Sequence, residues 1–162
     1  MVNLLSAPTS GGSGTASAAP GHLTQDLALS GKAVHHARRI VVESVCMWGY
    51  DHVAFDVGIV VTELLANVLQ HAVLPRCGGA KRARLVVQVL RALPAAGRLI
   101  VVVHDDDPTM PKERLAGQND LNGRGLGLIR SLTDELSFVP IEGGKDAVAV
   151  ISLETSNGEA AA

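Results

Sequence analysis

Between Asp51 and Pro75 the chain carries no lysine or arginine, and its apolar residues recur at helical spacing. A segment of that length and periodicity folds as one long helix, running to about Val73, around which the rest must be arranged. Val61, Leu65, Val68 and Ala72 take one side of it. At about 100° per residue, Asp56, Glu63, Asn67 and Gln70 fall within roughly 60° of one another on the opposite side. An ordinary amphipathic helix with its polar face in water shows the same pattern. Such a face usually carries Lys, Arg and Glu pairs, whereas this one has a carboxylate and a carboxamide one turn apart with no cation nearby. That pair suits a metal and a polar ligand. Mg²⁺ fits, because it takes one or two protein oxygens and completes its shell with water and phosphates. Asp51 is expected to cap the helix, and the run Leu-Pro-Arg-Cys-Gly-Gly ends it.

The 162 residues are enough for one core. Residues 1–20 are small, polar and rich in Gly and Pro, which predicts a disordered tail; 21–155 is the folded domain, and 156–162 a second tail. Gly31 to Trp48 has apolar residues at helical spacing (Val34, Ala37, Val41, Val45) and stops at Gly49. Two β-branched runs, Ala83 to Leu90 and Leu99 to His104, flank a turn at Pro94-Ala95-Ala96-Gly97. The polar stretch Pro108 to Asn122 has no periodicity, and connections that long are usually functional. A helix over Gly125 to Leu136, a strand near Leu136 to Val139, a Gly-Gly turn and a strand over Ala147 to Leu153 complete the chain. Successive strands joined by a short turn imply antiparallel pairing. With helices on one face, the fold class is an α+β two-layer sandwich.

Aromatics make up only 2% of a chain that is 47% hydrophobic, so packing rests on Val, Leu, Ile and Ala. A net charge of −2 gives no field for gathering nucleic acid or an anionic membrane. No apolar run reaches the roughly 18 residues of a membrane span, and the N-terminus lacks a signal-peptide pattern. Cys46 and Cys77 have neither metal-ligand spacing nor a disulfide-rich context, which predicts a cytoplasmic protein. Cys46 is expected in the core and Cys77 at the surface. His71 and His104 read as packing residues.

Two further stretches raise chemical questions. Val101 to Pro111, VVVHDDDPTMP, runs a strand into three carboxylates. Alternation along a strand end keeps Asp105, Asp106 and Asp107 from converging on one ion. In NGRGLGLIRS, Gly123, Gly125 and Gly127 open a helix, where bare backbone N–H groups can approach a phosphate. Turns and helix caps produce such glycines as well. The spacing G-x-G-x-G, with no buried strand before it, excludes a dinucleotide-binding fingerprint. A P-loop is excluded too, since Asp146 follows Gly144-Lys145.

Taken in order, these pieces resemble the GHKL (Bergerat-fold) ATPases. Glu63-Leu-Leu-Ala-Asn67 with His71 resembles their N box. Asp105 at its strand end matches the G1 aspartate, and Gly123-Arg124-Gly125-Leu126-Gly127 resembles the G2 box. The polar stretch between them corresponds to the ATP lid. HHARRIVVESVCMWG and GGKDAVAVISL add a resemblance to the single-domain anti-sigma factor serine kinases, over roughly residues 24 to 154. That resemblance implies a mixed, mostly antiparallel sheet. It also implies a Mg-ATP-dependent protein-serine kinase that sequesters a sigma factor and phosphorylates a STAS-type antagonist, and a possible homodimer.

Residue by residue, the resemblance implies that Asn67 holds Mg²⁺ and that Glu63 is general base or orients the serine hydroxyl. Asp105 accepts from the adenine amine, which guanine cannot offer there. Gly123, Gly125 and Gly127 wrap the phosphates with Leu126 between them, Arg124 adds a charged contact, and Arg38 meets a protein partner. The chain departs from the pattern at Asp107 and Thr109, which stand where the G1 box has glycines, and at Val34, where an acidic residue precedes the partner-binding arginine. Those departures leave an alternative: a non-catalytic partner-switching module, with nucleotide structural or absent.

Overall fold

The computed structural model describes residues 15–73, 78–91, 97–111 and 124–154. Residues 1–14, Cys77, the turn at Pro94-Ala95-Ala96, most of the expected lid with Gly123, and the tail from 155 lie outside the described residues.

In chain order the elements are β1 (Thr15–Ala19), β2 (His22–Ala28), α1 (Gly31–Met47), α2 (Asp51–His71), β3 (Arg82–Leu90), β4 (Arg98–Asp105), α3 (Arg124–Leu132), β5 (Glu135–Ile141) and β6 (Gly144–Ser152). The strands form one sheet in the order β1-β2-β3-β4-β6-β5, and every neighbouring pair is antiparallel. The sheet is therefore not mixed among the described residues. β1 and β2, β3 and β4, and β5 and β6 are consecutive antiparallel pairs; α1 and α2 connect β2 to β3, and the segment containing α3 carries the chain from β4 past β6 to β5.

Thr15–Ala19, within the stretch the sequence assigns to a tail, forms an edge strand beside β2. β2 is itself a strand the sequence pattern conceals. Its core-facing positions are Leu23, Gln25 and Leu27, so a polar residue interrupts the apolar alternation.

Alternation in β3, β4 and β6 sends Leu85 and Val87, Leu99, Val101 and Val103, and Ala147, Ala149 and Ile151 to one face. The helices cover that face. Ser30 caps α1, accepting from the Ala33 amide at 3.1 Å, and Val34, Ala37, Val41 and Val45 point inward. Asp51 is not the α2 cap: Tyr50 occupies that position without a side-chain bond, and Asp51 lies in the first turn, where its charge complements the helix dipole.

By length and composition α2 could cross a membrane. That apolarity serves the core: α2 lies on β4 and β6 with α1 and α3 packed beside it, which buries Val57, Val60, Val61, Leu64 and Leu65 together. Each such side chain contributes about 1.5–3 kcal/mol by leaving water. Gly58 lets the helices close up, because a Cβ there would stand 2.7 Å from Val42 Cγ2. Cys46 is half-buried against the core rather than enclosed in it.

Candidate functional site

The polar stripe of α2 stays off the core. Asp56, Glu63 and Asn67 are half-buried, and Gln70 and His71 are exposed. The reason Glu63 and Asn67 are neither solvated nor enclosed is α3, whose first turn lies over them. A Cβ on Gly125 would stand 2.6 Å from Glu63 Oε2 and 4.0 Å from Asn67 Oδ1. Glycine alone leaves the backbone bare at that point.

Gly125 and Gly127 are inside the first turn of α3 rather than ahead of it. Gly127 faces open space, Leu126 packs against the core edge, and Arg124 is exposed at the helix start. The early N–H groups of a helix have no intrahelical acceptor, so this turn presents donors beside a carboxylate and a carboxamide. Glu63, Asn67 and Gly125 are thus brought together, with Arg124, Leu126 and Gly127 on the same turn. Gly123 falls outside the described residues.

Asp105 ends β4 on the helix-covered face and is almost fully buried. Its Oδ1 accepts from Lys145 Nζ at 3.0 Å and from the Asp107 amide at 2.8 Å. Register explains the first contact, since Asp105 and Lys145 are direct partners across β4 and β6 and so share a face. The approach is close because the hairpin turns through Gly143, at φ 83°, into Gly144. Any Cβ on Gly144 would collide with the Asp105 carbonyl oxygen.

Asp107 is also buried, and it is not a stray charge. Its Oδ2 accepts from the Val73 amide at 2.9 Å and its Oδ1 from the Thr109 amide at 2.9 Å. Those bonds hold its carboxyl well below the usual range, at about 2; the Thr109 side chain and amide contribute most, against an opposing effect of burial. Lys145 Nζ donates a further bond, 2.6 Å, to the Asp107 carbonyl. Asp107 therefore ties the end of α2 to the end of β4, and with them the two halves of the site. Lys81 Nζ secures the same helix end on the Leu69 carbonyl at 2.6 Å.

Asp106 points the other way and is exposed, 3.5 Å from His104 Nε2. His104 Nδ1 lies 2.9 Å from Asp146 Oδ1, so this histidine cross-links β4 and β6 on the open face of the sheet. The three aspartates thus have three separate environments. Among the described residues, no group of three His, Cys, Asp or Glu side chains could hold a metal ion. Asn67 would therefore hold one only together with oxygens of a ligand.

Arg38 lies beside Gly58 and Phe55, in the N-terminal half of α2. It is half-buried on α1, with its guanidinium 5.8 Å from the ring centroid of Phe55, an α2 residue that is 66% exposed. Lys145 is the site residue that sequence reasoning missed. Nothing in the run GGKDA points to Asp105 until the strand register is known.

Residues 21–151 match the family model described as the histidine kinase-like ATPase domain. Among solved structures, the chain is similar to the histidine kinase domain of the blue-light activated histidine kinase of Erythrobacter litoralis, with 28% identity and a TM-score of 0.40. That match covers 62% of this chain and 45% of the other. A second structure of that kinase matches at 26% identity and a TM-score of 0.40, over 64% of this chain and 31% of its own. The chain thus spans less than half the length of either structure. No curated protein matches it.

Proposed function

The chain belongs to the histidine kinase-like ATPase domain family, and on that premise we propose that it is a Mg-ATP-dependent protein-serine kinase of the anti-sigma factor type. Membership implies ATP binding. The observation that supports the reading most directly is the bare Gly125 backbone against Glu63 and Asn67. A phosphate chain seated on the first turn of α3 meets N–H donors, with the Asn67 amide oxygen at its side. Asn67 would hold a Mg²⁺ ion together with oxygens of the ligand, and the chemistry that ion would supply is charge neutralisation at the phosphates. Asp105 has its bonds from Lys145 and Asp107 on Oδ1, and its Oδ2 is the atom offered to an adenine amine.

The chemistry asked of the protein is small. A serine hydroxyl of the antagonist attacks the γ-phosphorus, the new O–P bond forms as the bond to the β-phosphate oxygen breaks, and ADP leaves. Glu63 orients the hydroxyl and takes its proton. Positioning and charge neutralisation supply most of the barrier lowering in such transfers. The sigma factor binds elsewhere, on the helical layer around Arg38, where the exposed Phe55 offers an apolar contact beside a cation. Competition from unphosphorylated antagonist releases it.

A second reading, a module that exchanges partners without transferring phosphate, is favoured by the buried Asp107 where the resemblance expects a glycine. One experiment separates them. The protein is incubated with Mg-ATP and STAS-type antagonists, and phosphoserine is sought by mass spectrometry. Phosphoserine that disappears in Glu63→Ala, with ATP affinity retained, supports the kinase. No transfer to any antagonist despite ATP binding supports the module, and no ATP binding removes both the kinase and the nucleotide from the account.

A further inference from the structure

We propose that Lys145 is a positioning residue for base recognition: with the Asp107 backbone it clamps Asp105 so that one carboxylate oxygen is fixed and the other is aimed at the nucleobase. This rests on the ATP reading above and goes beyond it, because it moves adenine selectivity from one aspartate to a pair that includes a lysine on another strand.

The site shows why a clamp is needed. A carboxylate as buried as Asp105 is costly unless it is paired. Lys145 is the cation that meets it, and its side chain is itself only 11% exposed. Nζ reaches two acceptors, Asp105 Oδ1 at 3.0 Å and the Asp107 carbonyl at 2.6 Å. The Asp107 amide closes the ring by donating to that same Oδ1 at 2.8 Å. Lysine, amide and carboxylate thus fix the side-chain torsion of Asp105 from two directions. The main chain is fixed as well, because Gly144 lies against the Asp105 carbonyl and admits no side chain.

The clamp also gives the missing glycines a meaning. Where the resemblance expects flexible residues after Asp105, this chain has Asp107, whose side chain accepts from the Val73 and Thr109 amides and so holds in place the backbone that donates to the carboxylate and accepts from Lys145. A loop that would otherwise be positioned by the ligand is positioned by the protein. Preorganisation of this kind improves binding by lowering the ordering cost. It also sharpens selectivity. A fixed carboxylate rejects a guanine carbonyl, whereas a loose one can turn aside.

The test is calorimetric titration of Mg-ATP and Mg-GTP into wild type, Lys145→Met and Lys145→Arg, with folding checked by circular dichroism. Lys145→Met should lower the ATP-over-GTP preference by roughly tenfold or more, the worth of a charge-assisted contact, and Lys145→Arg should restore part of it. A merely structural lysine would weaken both nucleotides alike and leave the ratio unchanged, and that result overturns the clamp. Should Lys145→Met fail to fold, Lys145→Gln, which keeps a donor without the charge, carries the same expectation. Wild-type protein that selects ATP while the neutral variants select it equally removes the clamp alone. Wild-type protein that binds neither nucleotide removes the ATP reading and the clamp together.

Discussion

Glu63 Oε2 stands 2.6 Å from the position that a Cβ on Gly125 would occupy. The Gly125→Ala variant therefore separates stability from function. Alanine is favoured over glycine within a helix by up to about 1 kcal/mol, and the end of a flexible glutamate can move aside. The melting temperature should hold or rise. On the proposed kinase reading, phosphoryl transfer should fall by roughly tenfold or more, because the carboxylate proposed to orient the hydroxyl is displaced. Thermal melts and single-turnover assays on one preparation check both halves of the expectation.

Asp107 predicts an acid-sensitive fold. Its carboxyl lies at about 2 in the folded protein against an ordinary value of 3.8. Between those values the unfolded chain binds more protons than the folded one, so stability rises with pH. The contribution is complete above about pH 5, falls as pH drops through 4, and is gone below about pH 2. Asp107→Asn should destabilise the protein at pH 7 by about 1–3 kcal/mol, since its amide cannot accept from both Val73 and Thr109 on its two ends. Urea midpoints measured from pH 7 to pH 3 should show the gap between wild type and variant closing. A constant gap would mean that the carboxylate is not the source.

Gln25 predicts a stabilising substitution. It is 2% exposed on the core face of β2, and neither its Nε2 nor its Oε1 has a partner among the described residues. Replacing it by leucine removes an unsatisfied amide and should add about 1–2 kcal/mol. Urea titration gives the value directly. A loss of stability would show that the amide is satisfied in solution, through a water.

Gly58 predicts the reverse. An alanine there brings its Cβ to 2.7 Å from Val42 Cγ2, and a β-branched side chain on a helix has little rotamer freedom with which to yield. The overpacking cost exceeds the gain in helix propensity, and Gly58→Ala should lose about 1 kcal/mol net. A thermal melt measures it, and Val42→Ala in the same chain should rescue it.

How far the sequence was legible follows from what each element depends on. α1 and α2 were readable because their apolar faces repeat at helical spacing over many turns. β3, β4 and β6 were readable from β-branched residues that alternate into the core. β2 was hidden by Gln25, a polar side chain in an apolar row, and β1, TASAA, has no large side chain to register a face. Glu63 and Asn67 could be paired because they share one helix. Their meeting with Gly125 depends on how α3 docks, and the bond from Lys145 to Asp105 on a one-to-one strand pairing; neither is local. Asp107 was visible as an oddity, but its two amide donors come from the structure.

The bond from the Val73 amide to Asp107 has one more consequence. The last turn of a helix is ordinarily the first part to fray, and Asn67 sits close to that turn. Here the chain just past the helix is pinned to the strand that ends in Asp105. The separation between Asn67 and Asp105 is then set by the protein as by a ruler, and on the proposed ATP reading a nucleotide would be measured against it instead of stretching it. Hydrogen exchange would make the ruler visible: Val73, with its side chain largely in water, should keep its amide proton as long as residues in the body of the helix.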